Sequence, residues 1–85
     1  MSLTLGGIVL NRDTKKGIPF AVVRIVGPQN YWRNTGTAPD GTWLVPVPVE
    51  GTYYVEIRSL GFEPWSGNVQ VPPGRVTVEL ASTHL

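Results

Sequence analysis

Apolar and polar residues alternate along this chain in short runs, each closed by glycine, proline or asparagine. Successive side chains of a strand point to opposite faces, so a period of two reads as a strand with one buried face. In the first run, Leu3 to Leu10, Leu5, Gly7 and Val9 share one phase and Ile8 and Leu10 the other. Ala21, Val23 and Ile25 share a phase between about Phe20 and Val26, as do Trp43, Val45 and Val47 further on. Tyr53, Val55 and Ile57 follow, with Tyr54, Glu56 and Arg58 directed to water. Trp65, Val69 and Val71 keep phase across Gly67, and Val76, Val78 and Leu80 form the last run. Tyr31 to Thr37 reads as a strand or a long irregular loop, because Asn30, Asn34 and Gly36 weaken it.

The breaks are as informative as the runs. Gly27-Pro28, Pro39-Asp40-Gly41, Leu60-Gly61-Phe62 and Pro72-Pro73-Gly74 are turn sequences, and Pro39-Asp40-Gly41 suits a type I turn followed by glycine. Pro46 and Pro48 lack an amide hydrogen, so the Trp43–Val47 run either lies at a sheet edge or ends near Val45. With 10 Gly and 8 Pro in 85 residues, no window keeps a 3.6-residue period, so no helix is expected. About seven short strands at roughly ten-residue spacing predict an all-β, seven-stranded antiparallel Greek-key sandwich. A single domain over residues 1–85 is expected, with residues 81–85 frayed.

Composition narrows the function classes. The chain has no Cys, so it holds no disulfide, thiolate metal site or catalytic thiol. Seven basic residues against six acidic ones give a net charge of +1, and Lys15-Lys16 is the only basic pair. Nucleic-acid binding needs a clustered basic face and is not expected. No apolar run is long enough to span a membrane, and Met1 to Leu5 shows neither the basic nor the apolar region of a secretory leader.

In order and spacing, Gly7-Ile-Val9, Gly17-Ile-Pro-Phe-Ala21-Val-Val23, Thr37-Ala-Pro-Asp-Gly41-Thr-Trp43, Gly51-Thr-Tyr53-Tyr-Val55, Gly61-Phe62 and Val76-Thr-Val78-Glu-Leu80 form one set. This set resembles the carboxypeptidase regulatory-like domain, a transthyretin-like or prealbumin-like sandwich, over about residues 5 to 80. One departure is Ala38, where the family often carries an Asp that could cap the turn. The resemblance implies a domain with no activity of its own. Such domains serve as spacers, folding aids or interaction modules of surface, secreted or virion proteins.

The residues offer little chemistry. A hydrolytic triad needs a His beside a nucleophile and an acid, and the one His is His84, next to the C-terminus. The hydroxyisourate hydrolases share a transthyretin-like fold but use several His and a C-terminal Tyr-Arg-Gly-Ser, which this chain lacks. A Zn site needs three or four ligands, and Asp13 and Asp40 are too isolated for Ca²⁺. Related pilin-type domains carry a Lys–Asn isopeptide bond beside a buried Glu. Here Lys15 and Lys16 fall in a loop and Glu56 alternates outward. No enzyme activity, cofactor or metal is expected.

Contacts are the remaining possibility. Tyr31, Trp32 and Arg33, with Trp65, form a candidate site for a protein or a carbohydrate, since Tyr, Trp and Arg are enriched at binding surfaces. Ile8, Leu10, Val22 and Leu44, with Val26, fall in the outward phase and form a candidate assembly face for a neighbouring domain or another copy. The expected function is a non-enzymatic structural or protein-interaction module. Carbohydrate binding through exposed aromatics is the alternative.

Overall fold

The computed structural model describes residues 3–83. Seven strands form in chain order: β1 (Leu3–Asn11), β2 (Val22–Val26), β3 (Trp32–Gly36), β4 (Thr42–Val47), β5 (Gly51–Arg58), β6 (Trp65–Val71) and β7 (Arg75–Leu80). They make a three-stranded sheet in the order β4-β1-β7 and a four-stranded sheet in the order β3-β2-β5-β6. The expected all-β sandwich is therefore present, and the doubtful Tyr31–Thr37 segment supplies β3. Ladder pairing with β2 overrides the weak strand preference of its Asn and Gly residues.

One pair departs from the antiparallel expectation. β1 and β7 run parallel, from Gly6 opposite Arg75 to Asn11 opposite Leu80. A parallel pair needs a long connection, and here the other five strands supply it. β4 lies at an edge, on the far side of β1, the first of the two alternatives that Pro46 and Pro48 leave.

The inward phase of each run meets between the sheets. Leu5, Val9, Val23, Ile25, Tyr53, Val55 and Ile57 are fully buried, with Trp43, Val45, Val71, Val78 and Leu80 nearly so. Each such side chain contributes roughly 1.5–3 kcal/mol by leaving water. Tyr53 fills the core with its ring while its hydroxyl donates to the Val49 carbonyl at 2.7 Å, as its position in the sequence implied. Its ring lies so close to Gly27 that a Cβ there would stand 2.3 Å from it.

Two polar devices hold the connections. Thr37 is the one buried polar residue described; its Oγ1 accepts from the Ala21 amide at 2.8 Å and donates to the Ile18 carbonyl at 2.6 Å. In the turn before β4 the Gly41 amide donates to the Ala38 carbonyl at 2.8 Å, closing Ala38–Gly41. The Asp40 Oδ1 accepts from the Thr42 hydroxyl at 2.6 Å and the Thr42 amide at 3.1 Å. These bonds, the hydroxyl's first, hold the Asp40 carboxyl below its ordinary pKa of 3.8. Asp40 thus supplies the cap that Ala38 cannot.

The C-terminal segment is pinned rather than frayed up to Thr83. Ser82 bridges to Phe62, the Glu63 amide donates to the Ala81 carbonyl at 2.7 Å, and the Thr83 amide donates to the Gly61 carbonyl at 3.0 Å. The turn after β5 offers unpaired backbone groups, and the chain leaving β7 satisfies them.

Candidate functional site

On the outer face of the four-stranded sheet, side chains fall in rows set by strand register. Val26 stands opposite Trp32 on β3 and opposite Tyr54 on β5, and Tyr54 stands opposite Asn68 on β6. In the next row Arg24 stands opposite Asn34 and Glu56, and Glu56 opposite Ser66. A third row holds Gly36, Val22 and Arg58. Neighbouring strands lie ~4.8 Å apart, so Trp32, Val26 and Tyr54 make a continuous apolar stripe across three strands. Trp32 is 67% exposed, and Val26 and Tyr54 are each 41% exposed.

The third row opens into a shallow cleft of about 480 Å³, lined by Phe20, Val22, Arg58, Leu60, Phe62 and Pro64 among others. Leu60 projects fully into solvent and Phe20 is 75% exposed. Phe20 has a φ of 59°, a left-handed conformation that costs a residue with a Cβ about 1–2 kcal/mol. Its amide donates to the Thr37 carbonyl at 3.0 Å, which anchors it there. Of the exposed large hydrophobic residues described, only Leu44 lies away from this face and its cleft.

The charge on the face is sparse. Arg58 Nη2 pairs with Glu56 Oε2 at 3.3 Å, an exposed contact that contributes little stability. Arg24 stands beside Glu56 in register yet makes no ion pair among the described residues.

The fold redistributes the contact residues expected from the sequence. Trp32 lies on the outer face, but Arg33 pairs with the core residue Ile25 and so takes the opposite phase, reaching solvent at the sheet edge. Tyr31 is half-buried against the core, and its hydroxyl donates to the Pro46 carbonyl at 2.7 Å. Trp65 pairs with Ile57 on β6, the edge strand opposite β3, and its ring packs over Gly67 and against the core. Adjacent residues in a strand reverse faces, so Tyr31, Trp32, Arg33 and Trp65 do not form one site.

The assembly face expected from Ile8, Leu10, Val22 and Leu44 is divided as well. Ile8, Leu10 and Leu44 lie on the outer side of the three-stranded sheet, while Val22 and Val26 lie on the outer side of the four-stranded one. β1 and β2 belong to different layers, so their outward residues point in opposite directions. Ile8 and Leu10 are only half-buried, and Leu44 leans over Gly6.

The sequence profile of the carboxypeptidase regulatory-like domain matches residues 4–83. The chain belongs to this family. No curated protein matches this carboxypeptidase regulatory-like domain. Among solved structures, the domain is similar to the pilus 2b backbone protein of group B streptococcus, with a TM-score of 0.79 and 18% identity. It is also similar to a streptococcal ancillary pilin (TM-score 0.71, 13% identity) and to the pilus adhesin of Streptococcus pneumoniae (TM-score 0.57, 19% identity). The alignments cover 94%, 99% and 96% of this chain but only 41%, 30% and 12% of those proteins. At such identities the likeness is one of fold.

The chemistry of this carboxypeptidase regulatory-like domain follows from where its titratable groups stand. Lys15 pairs with Glu79 on the outer side of the three-stranded sheet at 2.8 Å, while Glu56 lies on the outer side of the other sheet. The lysines and Glu56 are therefore not brought together as an isopeptide bond would need. Among the described residues no three His, Cys, Asp or Glu side chains gather, and no helix is long and apolar enough to cross a membrane. His84 lies outside the described residues.

Phe20, Tyr54 and Leu60 lie outside the contact residues expected from the sequence. Tyr54 was legible, as an aromatic in the outward phase of a strand. Phe20 was not, because its exposure depends on a left-handed backbone that Phe seldom adopts.

Proposed function

We propose that this domain is a non-catalytic structural and interaction module within a larger cell-surface, secreted or virion assembly. A stiff two-layer scaffold presents one apolar sheet face to a protein partner. The supporting observation is the concentration of exposed apolar residues, Phe20, Val22, Val26, Trp32, Tyr54 and Leu60, on one side of the four-stranded sheet and its cleft. Clustered exposed apolar residues favour an interaction role over scattered exposure. The likeness to pilus backbone, ancillary pilin and adhesin structures supports a surface setting through shared fold. Antibody labelling of intact source cells and of their released particles tests this. Labelling at the surface or on particles is expected; signal confined to the cytosol would overturn the reading.

Carbohydrate binding is the second reading. Trp32 and Tyr54 share one exposed row, with Asn34 and Asn68 as polar neighbours. A glycan array probed with the domain and with its Trp32→Ala variant tests it: ligands lost in the variant support it, and an array without ligands rejects it.

A further inference from the structure

We infer that the outer face of the four-stranded sheet docks a second copy of this chain about a two-fold axis parallel to the strands, between β2 and β5. The inference rests on the interaction role proposed above and names its occupant. Such an axis lays β2 over the partner subunit's β5 and β3 over the partner subunit's β6, so each row meets itself reversed.

The two central strands are complementary under that reversal, and at the edges Trp32 comes over the partner subunit's Asn68. Arg24 faces the partner subunit's Glu56, and Glu56 faces the partner subunit's Arg24, since the two stand directly opposite on β2 and β5. Val26 meets the partner subunit's Tyr54 by the same rule, and Val22 meets the stem of the partner subunit's Arg58. At the cleft end, Phe20 lies two residues before Val22 and Leu60 two residues after Arg58. Both lie beyond the last paired residues of β2 and β5 and line the same cleft, which puts them at one end of the face. This is the pattern of a self-complementary interface, in which residue i contacts j and j contacts i.

The available charges fit. Arg24 makes no ion pair among the described residues, and Glu56 has only its exposed contact with Arg58. Aligned sheets pack within about 30° of each other, and a rotation within that range displaces the ends of the face most and its middle row least. The Arg24–Glu56 contacts lie in that middle row. A sugar stacked on Trp32 and Tyr54 would leave Phe20, Val22 and Leu60 at the other end of the face unused.

The face is small. Four strands of about six residues give a footprint of about 400 Å², below the roughly 800 Å² per partner of a standard complex. The dimer is accordingly weak, with a Kd between about 10 µM and 1 mM.

Sedimentation equilibrium over that concentration range tests the inference. The wild type is expected to form a concentration-dependent dimer. Arg24→Glu and Glu56→Arg, made separately, are each expected to weaken it about tenfold or more by opposing like charges. An equimolar mixture of the two variants is expected to associate again, because each offers the other a face of opposite sign. Thermal melting of each variant checks that the fold is retained. A wild type monomeric throughout, or a mixture no tighter than its separate components, would overturn the two-fold. So would a monomer whose tryptophan emission shifts with soluble oligosaccharide in the wild type but not in Trp32→Ala, which would give the face to sugar. Surface labelling is independent of all these results, so failure here is distinguishable from failure of the module reading.

Discussion

The rings of Tyr31 and Tyr53 meet edge to face, their centroids 5.8 Å apart and their planes at 84°. Both hydroxyls then reach one stretch of chain, Tyr31 to the Pro46 carbonyl and Tyr53 to the Val49 carbonyl. Pro46 is on β4, the edge of the three-stranded sheet, whereas Tyr53 is on β5 of the other sheet. The Tyr31 hydroxyl therefore fastens the edge strand β4 to the chain entering β3, while the Tyr53 hydroxyl holds the β4–β5 connection. Tyr53→Phe is expected to lower stability by about 1–2 kcal/mol, because its bond is partly buried. Tyr31→Phe, at a more exposed bond, is expected to cost about 0.5–1 kcal/mol. Urea denaturation of both single variants and the double variant measures each bond and the coupling between them.

Gly41 and Gly61 share a φ of 87° but not their surroundings. A Cβ on Gly41 would stand 2.5 Å from the Val9 carbonyl oxygen, whereas one on Gly61 would meet nothing within 4 Å. Gly61→Ala is expected to cost about 1–2 kcal/mol, the conformational penalty alone. Gly41→Ala adds a backbone clash and is expected to cost about 3 kcal/mol or more. Denaturant midpoints of the two variants should separate accordingly.

Much of this architecture is readable from residue types. The inward phases of Val23, Ile25, Trp43, Val45, Tyr53, Val55 and Ile57 were all legible because burial enforces a strict two-residue period. Pro46 left β4 either an edge or ended near Val45, and the pairing with β1 as far as Val47 makes it an edge, while the Tyr53 corner followed from an aromatic carrying a hydroxyl in a buried phase. The contact surface was not legible. Phase tells which residues point outward but not which layer a strand joins, so Leu44 and Val22 read as neighbours although they face opposite sides. The parallel pairing of β7 with β1 was equally hidden, since it joins segments from the two ends of the sequence.

The Asp40 carboxylate carries a pH dependence of known sign. Its folded-state pKa lies below the ordinary 3.8, so its bonds from Thr42 stabilise the fold fully above that value. The stabilisation is lost as pH falls from about 3.8 through the lower folded pKa. Asp40→Asn removes the titration. The difference in melting temperature between wild type and Asp40→Asn is expected to be constant near neutral pH and to shift against the wild type in acid. A difference unchanged down to pH ~2 would show that the Thr42 contacts do not favour the charged carboxyl.

Phe20 combines a disfavoured backbone with an exposed ring. Replacing it with Asn, which tolerates the left-handed region, relieves strain and gives up little burial. Phe20→Asn is expected to raise stability by about 0.5–1 kcal/mol in thermal melts while weakening self-association in the ultracentrifuge. A loss of stability would mean that the ring contributes mainly to packing within its own chain.

The parallel alignment of β1 and β7 has a mechanical consequence. Gly6 pairs with Arg75 and Asn11 with Leu80, so the leading end of the first strand and the trailing end of the last lie at opposite extremes of one ladder. Tension applied at residues 3 and 83 would slide these strands past each other, straining their cross-links simultaneously rather than peeling them one by one. Resistance to stretching then arises from topology, with no covalent clamp.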